Sequence, residues 1–105
     1  MNERVLHTAL DNFQIRSGWK AEWTMTEKEG IEGVTSVSKD RHCIQLPTKV
    51  RSALAACSLP GLLELEERYG SLLVVAGKIS DTIAEELKEL GIFFLDSAGN
   101  AFIDV

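Results

Sequence analysis

Cysteine and proline are scarce in this chain, with two of each in 105 residues, and it carries a single tyrosine. Cys43 and Cys57 show no CxxC spacing and have no histidine cluster nearby, which excludes a zinc knuckle and a disulfide framework. With a composition typical of the bacterial cytosol, both are expected to be reduced and buried. Lysine and arginine form no run, and the formal net charge is −5, so the chain lacks the electrostatic footprint of a nucleic-acid binder. No stretch reaches the roughly 18 consecutive apolar residues of a membrane span. The start, MNERVLHTALDNF, is amphipathic and contains acids, unlike a secretory signal. The expected location is the cytoplasm, with no membrane contact. There is no GxGxxG, no P-loop and no Ser-His-Asp pattern. His7 and His42 lack partners at metal-ligand spacing and read as surface or half-buried histidines. No cofactor and no metal site are expected.

The sequence does carry enough apolar residue, 45%, for one core, and its length supports a single domain. Its best-patterned stretch is the last third. Leu72-Leu73-Val74-Val75-Ala76 is an unbroken apolar run, the pattern of a strand buried on both faces. Ser80 then stands as a helix cap before Ile83, Ala84, Leu87 and Leu90, which recur at helical spacing, and Gly91 sits where a left-handed C-terminal cap belongs. Ile92-Phe93-Phe94-Leu95 reads as a second buried strand. A right-handed crossover lays these two strands parallel in one sheet. Asp96-Ser97-Ala98-Gly99-Asn100 turns the chain into a last strand, Ala101 to Val105.

Earlier in the chain, residues 2–17 read as a helix capped by Asn2, with Val5, Leu6, Ala9, Leu10 and Phe13 on one stripe, ended by Gly18. Residues 20–26 alternate strictly, so Ala21, Trp23 and Met25 should face a core. The two tryptophans, Trp19 and Trp23, are expected to pack against the first helix. Residues 31–38 form the next strand, 39–42 a hairpin loop, and 43–51 the return strand, in which Pro47 implies an edge position or a bulge. Residues 52–57 read as a loop or a short helical turn. Leu59-Pro60 starts a helix with Leu62, Leu63 and Leu65 on its buried side, ended by Gly70. The expected fold class is α/β with a mixed sheet: an antiparallel three-stranded meander followed by a parallel βαβ unit. No repeats, linkers or low-complexity tracts interrupt it. The chain stops at Asp104-Val105, inside what reads as a strand, as expected of one domain cut from a longer protein.

The α-β-β-β-α-β order resembles the nuclease core of restriction endonucleases and junction resolvases. Such cores hold a divalent metal with an acid on the second strand and a Glu-x-Lys pair on the third, whose alternation aims both ends at the metal. Ser58-Leu59-Pro60-Gly61-Leu62-Leu63, Glu67-Arg68-Tyr69-Gly70, the strand from Leu72 to Ala76, Glu86-Leu87 with Gly91-Ile92, and above all Asp96-Ser97-Ala98-Gly99-Asn100-Ala101-Phe102 narrow the likeness. These segments resemble the AbiEi-type antitoxins, bacterial transcriptional regulators of type IV toxin–antitoxin systems. The likeness covers residues 42–105 well and the first 40 residues only by element order. It implies an N-terminal nuclease-like domain, resembling a degenerate restriction-endonuclease-like core, whose C-terminal winged helix lies outside this chain.

Where relatives of that family carry Glu-x-Lys, this chain reads Lys49-Val50-Arg51. The acid is replaced by a base, and Glu32 near the start of the second strand would be the one remaining carboxylate, a poor cage for Mg²⁺. The resemblance therefore implies a regulatory domain that is not an enzyme, with no catalytic residues. It would contribute protein–protein or auxiliary DNA contacts, and itself bind DNA weakly or only through the absent domain. The candidate contact residues are Lys49, Arg51, Asp96 and Asn100, with Gly99 as a structural turn residue at positive φ. Each has a plainer reading: a solvated strand face for Lys49 and Arg51, a solvated turn for Glu32, and turn architecture for Asp96 and Asn100. The alternatives are a residual metal-dependent nuclease of the same class, or a dimerisation module using an open strand edge.

Overall fold

The computed structural model describes residues 3–103, so the Asn2 cap and the last strand beyond Ile103 lie outside the described residues. The chain runs α1 (Glu3–Ser17), β1 (Lys20–Met25), β2 (Gly33–Lys39), β3 (His42–Ala53), a 3₁₀ turn (Ala56–Ser58), α2 (Leu59–Tyr69), β4 (Leu73–Lys78), α3 (Asp81–Leu90), β5 (Phe93–Asp96) and β6 (Ala101–Phe102). One six-stranded sheet holds the strands in chain order, β1-β2-β3-β4-β5-β6. The meander β1-β2-β3 is antiparallel, β3-β4-β5 is parallel, and β6 returns antiparallel to β5. This is the expected α/β mixed sheet.

The burial pattern explains the layers. Leu72 to Ala76 are all fully buried, because β4 has helices over both faces. On one face α1 places Leu6, Ala9, Leu10 and Phe13 against Ala21, Val37, Leu46, Val50, Leu73, Val75 and Leu95. On the other face Leu62 of α2 and Ile83 and Leu87 of α3 pack with Leu72, Val74, Ala76 and Phe94. Two right-handed crossovers stepping the same way along a sheet put both their helices on one side, which leaves the opposite side for α1. Trp19 and Trp23 are half-buried against the α1 core, as expected.

Helix ends follow local chemistry. The Ser80 hydroxyl oxygen accepts the Ile83 N–H at 3.3 Å, and Gly91 closes α3 at φ 74°. Gly70 closes α2 at φ 82°. Pro60 sits in the first turn of α2, where its missing N–H costs no helical bond. Leu62 is buried there, whereas Leu63 and Leu65 are half-buried.

Several expectations are corrected. Alternation along β1 places Met25 at the core, yet it is 68% exposed. Its direction is right, but α1 covers β1 only as far as Trp23. Cys43 and Cys57 are both free, and both are exposed rather than buried. Cys43 stands in the row Lys20–Ser38–Cys43, on the meander face that α1 does not cover, and Cys57 lies in the 3₁₀ turn. The hairpin loop is two residues, Asp40-Arg41, with Asp40 at φ 55°. β3 runs on to Ala53, so the helical turn begins at Ala56, later than read. Pro47 lies inside an interior strand, but β4 joins β3 only from Thr48 onward. At Pro47 itself, β3 still has an open side, and the absent N–H breaks no ladder.

Between the two sheet halves the α1 core holds a polar pair. Thr48 Oγ1 donates to the Leu46 carbonyl at 2.8 Å and lies 2.8 Å from Thr35 Oγ1, both residues being fully buried. The Thr48 proton is committed to Leu46, so the Thr35 hydroxyl must donate to Thr48. Thr48→Val therefore orphans a buried donor and should cost about 1–3 kcal/mol. Thr35→Val should cost less, since Thr48 keeps Leu46. The double variant Thr35→Val/Thr48→Val should be more stable than Thr48→Val alone. Urea melts of the three proteins read this order, and a double variant less stable than either single would contradict it.

Candidate functional site

Two groups of candidate residues stand at the carboxyl ends of the parallel strands. Arg51 pairs in register with Ala76, and Ala76 with Asp96, so the two groups share one rung of the sheet with a small residue between them. At about 4.8 Å per strand, their Cα atoms are roughly 10 Å apart. Sequence spacing gives no sign of this shared row.

The first group is built by alternation along β3. Leu46, Thr48 and Val50 are buried under α1, so Lys49 and Arg51 point to the opposite face, toward the start of α2. They line a cleft of about 260 Å³ whose far wall is Cys57, Ser58, Gly61 and Leu62. Glu32 reaches the same place from the residue just before β2. Its Oε1 lies 3.4 Å from Lys49 Nζ, and its Oε2 accepts the Val50 N–H at 3.0 Å. The cause is in the ladder: β2 begins at Gly33 opposite Thr48, so the Val50 amide has no β2 residue to meet. The carboxylate takes the place of that missing partner. Both side chains of the ion pair are largely shielded, with 15% of Lys49 and 25% of Glu32 exposed. Arg51 is exposed and makes no salt bridge with the described residues. Glu32 is thus not the solvated turn residue of its plainer reading.

The second group closes the β5–β6 hairpin. Asp96 is buried, 3% exposed, and its Oδ1 accepts the N–H groups of Ala98 at 3.0 Å and Asn100 at 2.8 Å. Asn100 Nδ2 donates to Asp96 Oδ2 at 2.9 Å. The Asp96 N–H donates to the Asn100 carbonyl, and the Gly99 N–H to the Asp96 carbonyl. Three loop residues, Ser97 to Gly99, with Gly99 at φ 95°, make the turn. Ser97 ties it to the sheet by donating its hydroxyl to the Gly77 carbonyl at 2.6 Å, and Asn12 of α1 donates to the Ser97 carbonyl at 2.7 Å. Three donors already occupy the Asp96 carboxylate, all from its own turn.

The structure thus joins Lys49 and Arg51 in one cleft and Asp96, Gly99 and Asn100 in one turn. Glu32 completes the first group, and Ser97 and Asn12 anchor the second. These anchors carry no sequence signal, because their partners are backbone carbonyls far along the chain. Among the described residues, no group of three His, Cys, Asp or Glu side chains is placed to hold a metal ion. No described helix is long and apolar enough to cross a membrane. Comparison with protein-family models, with curated proteins and with solved structures finds no match to this chain.

The turn makes a direct prediction. Gly99→Val forces a β-branched residue to a φ it avoids and should destabilise the fold by about 1–3 kcal/mol. A Cβ there would also meet Arg16 Nε at 2.6 Å, but Arg16 is an exposed side chain that can move aside. Asn100→Ala removes one donor while Asp96 keeps its two backbone N–H groups, and should cost about 1 kcal/mol. Thermal melts test both; a Gly99→Val protein as stable as the parent would refute the turn's structural role.

Proposed function

We propose that this domain is a non-catalytic regulatory module of an AbiEi-like antitoxin or transcriptional regulator, contributing protein–protein or auxiliary DNA contacts. One observation carries the reading: the Glu32–Lys49 pair. In a nuclease-like core of this element order, the acid before the second strand's body and the acid of the third strand would converge on a metal. Here the second acid is Lys49, and its ammonium sits 3.4 Å from the Glu32 carboxylate. The other Glu32 oxygen is held by the Val50 N–H. A carboxylate bound by a cation and a backbone donor serves the fold, and a lone carboxylate beside two cations is a poor ligand set for a hard divalent ion.

What the cleft retains is positive charge. Arg51 is exposed and makes no salt bridge among the described residues, with Lys49 beside it, against an overall charge of −5. This suits a local contact to a phosphate or to an acidic partner surface and opposes wrapping of a duplex. DNA binding by this domain would be auxiliary to a DNA-reading domain elsewhere in the regulator.

Two measurements test this. Supercoiled plasmid and branched DNA should stay intact with the protein in Mg²⁺ or Mn²⁺. Cleavage that vanishes in Glu32→Ala would reverse the assignment. Duplex affinity should be weak, with no sub-micromolar binding at physiological ionic strength. Where binding is measurable at low salt, Lys49→Ala/Arg51→Ala should reduce the slope of log K against log salt by about 2, one counterion for each lost phosphate contact. An unchanged slope would remove these residues from any DNA contact.

A further inference from the structure

We infer that the open edge of β1 pairs with β1 of a second copy, in one register centred on Thr24, so that the protein forms a two-fold dimer with a continuous sheet.

Among the described residues, β1 has a neighbour on one side only. The ladder's parity fixes which backbone groups face outward. The Thr26 N–H donates across to the Glu32 carbonyl, whereas the Ala21 N–H turns away from β2 and is taken by Gln14 Oε1 at 3.2 Å. In an antiparallel pair these directions alternate, so Lys20, Glu22 and Thr24 bond to β2. Ala21, Trp23 and Met25 present their N–H and C=O groups outward. Gln14 blocks the first of these, and Trp23 and Met25 remain open.

That block and the end of β1 at Met25 select the register, since an axis at Met25 would set Trp23 opposite Glu27, outside the strand. Opposed residues in antiparallel strands share a sheet face, so the two-fold axis passes through one residue of each copy. An axis at Ala21, Glu22 or Trp23 makes the guarded Ala21 N–H part of the new ladder. An axis at Glu22 also sets two carboxylates directly opposite each other, which is destabilising. An axis at Thr24 uses only the open groups: Trp23 exchanges both bonds with Met25 of the second copy, and Met25 with Trp23. On the α1 face, the indole of Trp23 leans over Gly33 of β2, and the opposite Met25 side chain is long enough to lie along the outward edge of the ring, a favourable sulfur–aromatic contact. This covers Met25, which is 68% exposed in the single chain and one of the two large apolar side chains most open to solvent. On the other face, Thr24 meets Thr24, a favoured cross-strand pair, and Glu22 meets Thr26 without like-charge opposition.

The test is cross-linking by register. In a Cys43→Ser/Cys57→Ser background, Thr24→Cys places two thiols in a non-hydrogen-bonded pair with Cα atoms about 4.5 Å apart, within disulfide range. Mild oxidation should give a covalent dimer. Glu22→Cys places its thiols about 14 Å apart in this register and should stay uncoupled. Sedimentation of the parent should show a reversible dimer, and Met25→Asp should raise its dissociation constant by at least about tenfold while far-ultraviolet circular dichroism stays unchanged. A parent that sediments as a monomer would overturn the inference. So would a dimer indifferent to Met25→Asp, or one that cross-links equally through Glu22→Cys.

Discussion

The constraint on which the structure turns is the burial of β4 on both faces. Leu72 to Ala76 expose no surface, so each side of that strand demands a cover. The two crossover helices cannot be divided between the faces, because right-handed connections that step in one direction land on one side. α1 must therefore cross the sheet from the far end of the chain. From this follow the position of Asn12 over the β5–β6 turn, the half-burial of both tryptophans at the edge of the α1 core, and the wet outer face of the meander.

The same arrangement leaves the α2 side of β3 only partly filled. α2 buries Leu62 fully, and the space toward its first turn is lined by Lys49 and Arg51 rather than by apolar residues. A charged wall in that position is stable because Glu32 neutralises the more shielded cation while completing the ladder at Val50. Structural and functional readings of Glu32 therefore meet in one carboxylate. It is committed to the Lys49 ammonium and the Val50 N–H.

Much of this was legible in the sequence where local chemistry decides the outcome. The run from Leu72 to Leu95 has one apolar strand pattern on each side of a helix with both caps, and each signal depends on residues within a few positions. Gly99 at positive φ and Asp96 as an acceptor for its own turn belong to the same class, since a turn is a local object. What the sequence withheld depends on coverage by distant elements. Alternation correctly pointed Met25 toward the α1 side, but nothing in β1 says where α1 ends. Cys43 looked like a small buried hydrophobe until its row proved to be the uncovered one. Glu32 read as a loop residue, since its partner amide is 18 residues away and becomes available only because β2 is short.

The order of strands in the sheet repeats their order in the chain, and this has a kinetic consequence. Every strand pairs with the one made just before it, so no pairing closes more chain than the crossover between neighbours, residues 54–72 at the longest, which keeps the entropic cost of each closure small. α1 is the exception. Although made first, it covers Leu73, Val75 and Leu95 of β4 and β5 as well as Ala21, Val37, Leu46 and Val50 of the meander, and its bond from Asn12 to Ser97 spans 85 residues. During synthesis the helix stripe of Leu6, Ala9, Leu10 and Phe13 can meet the meander early but cannot complete its packing until β5 has emerged. Full cover of the α1 stripe therefore waits for the last strands, and a partly covered apolar stripe is open to chaperone capture or misassociation in that interval.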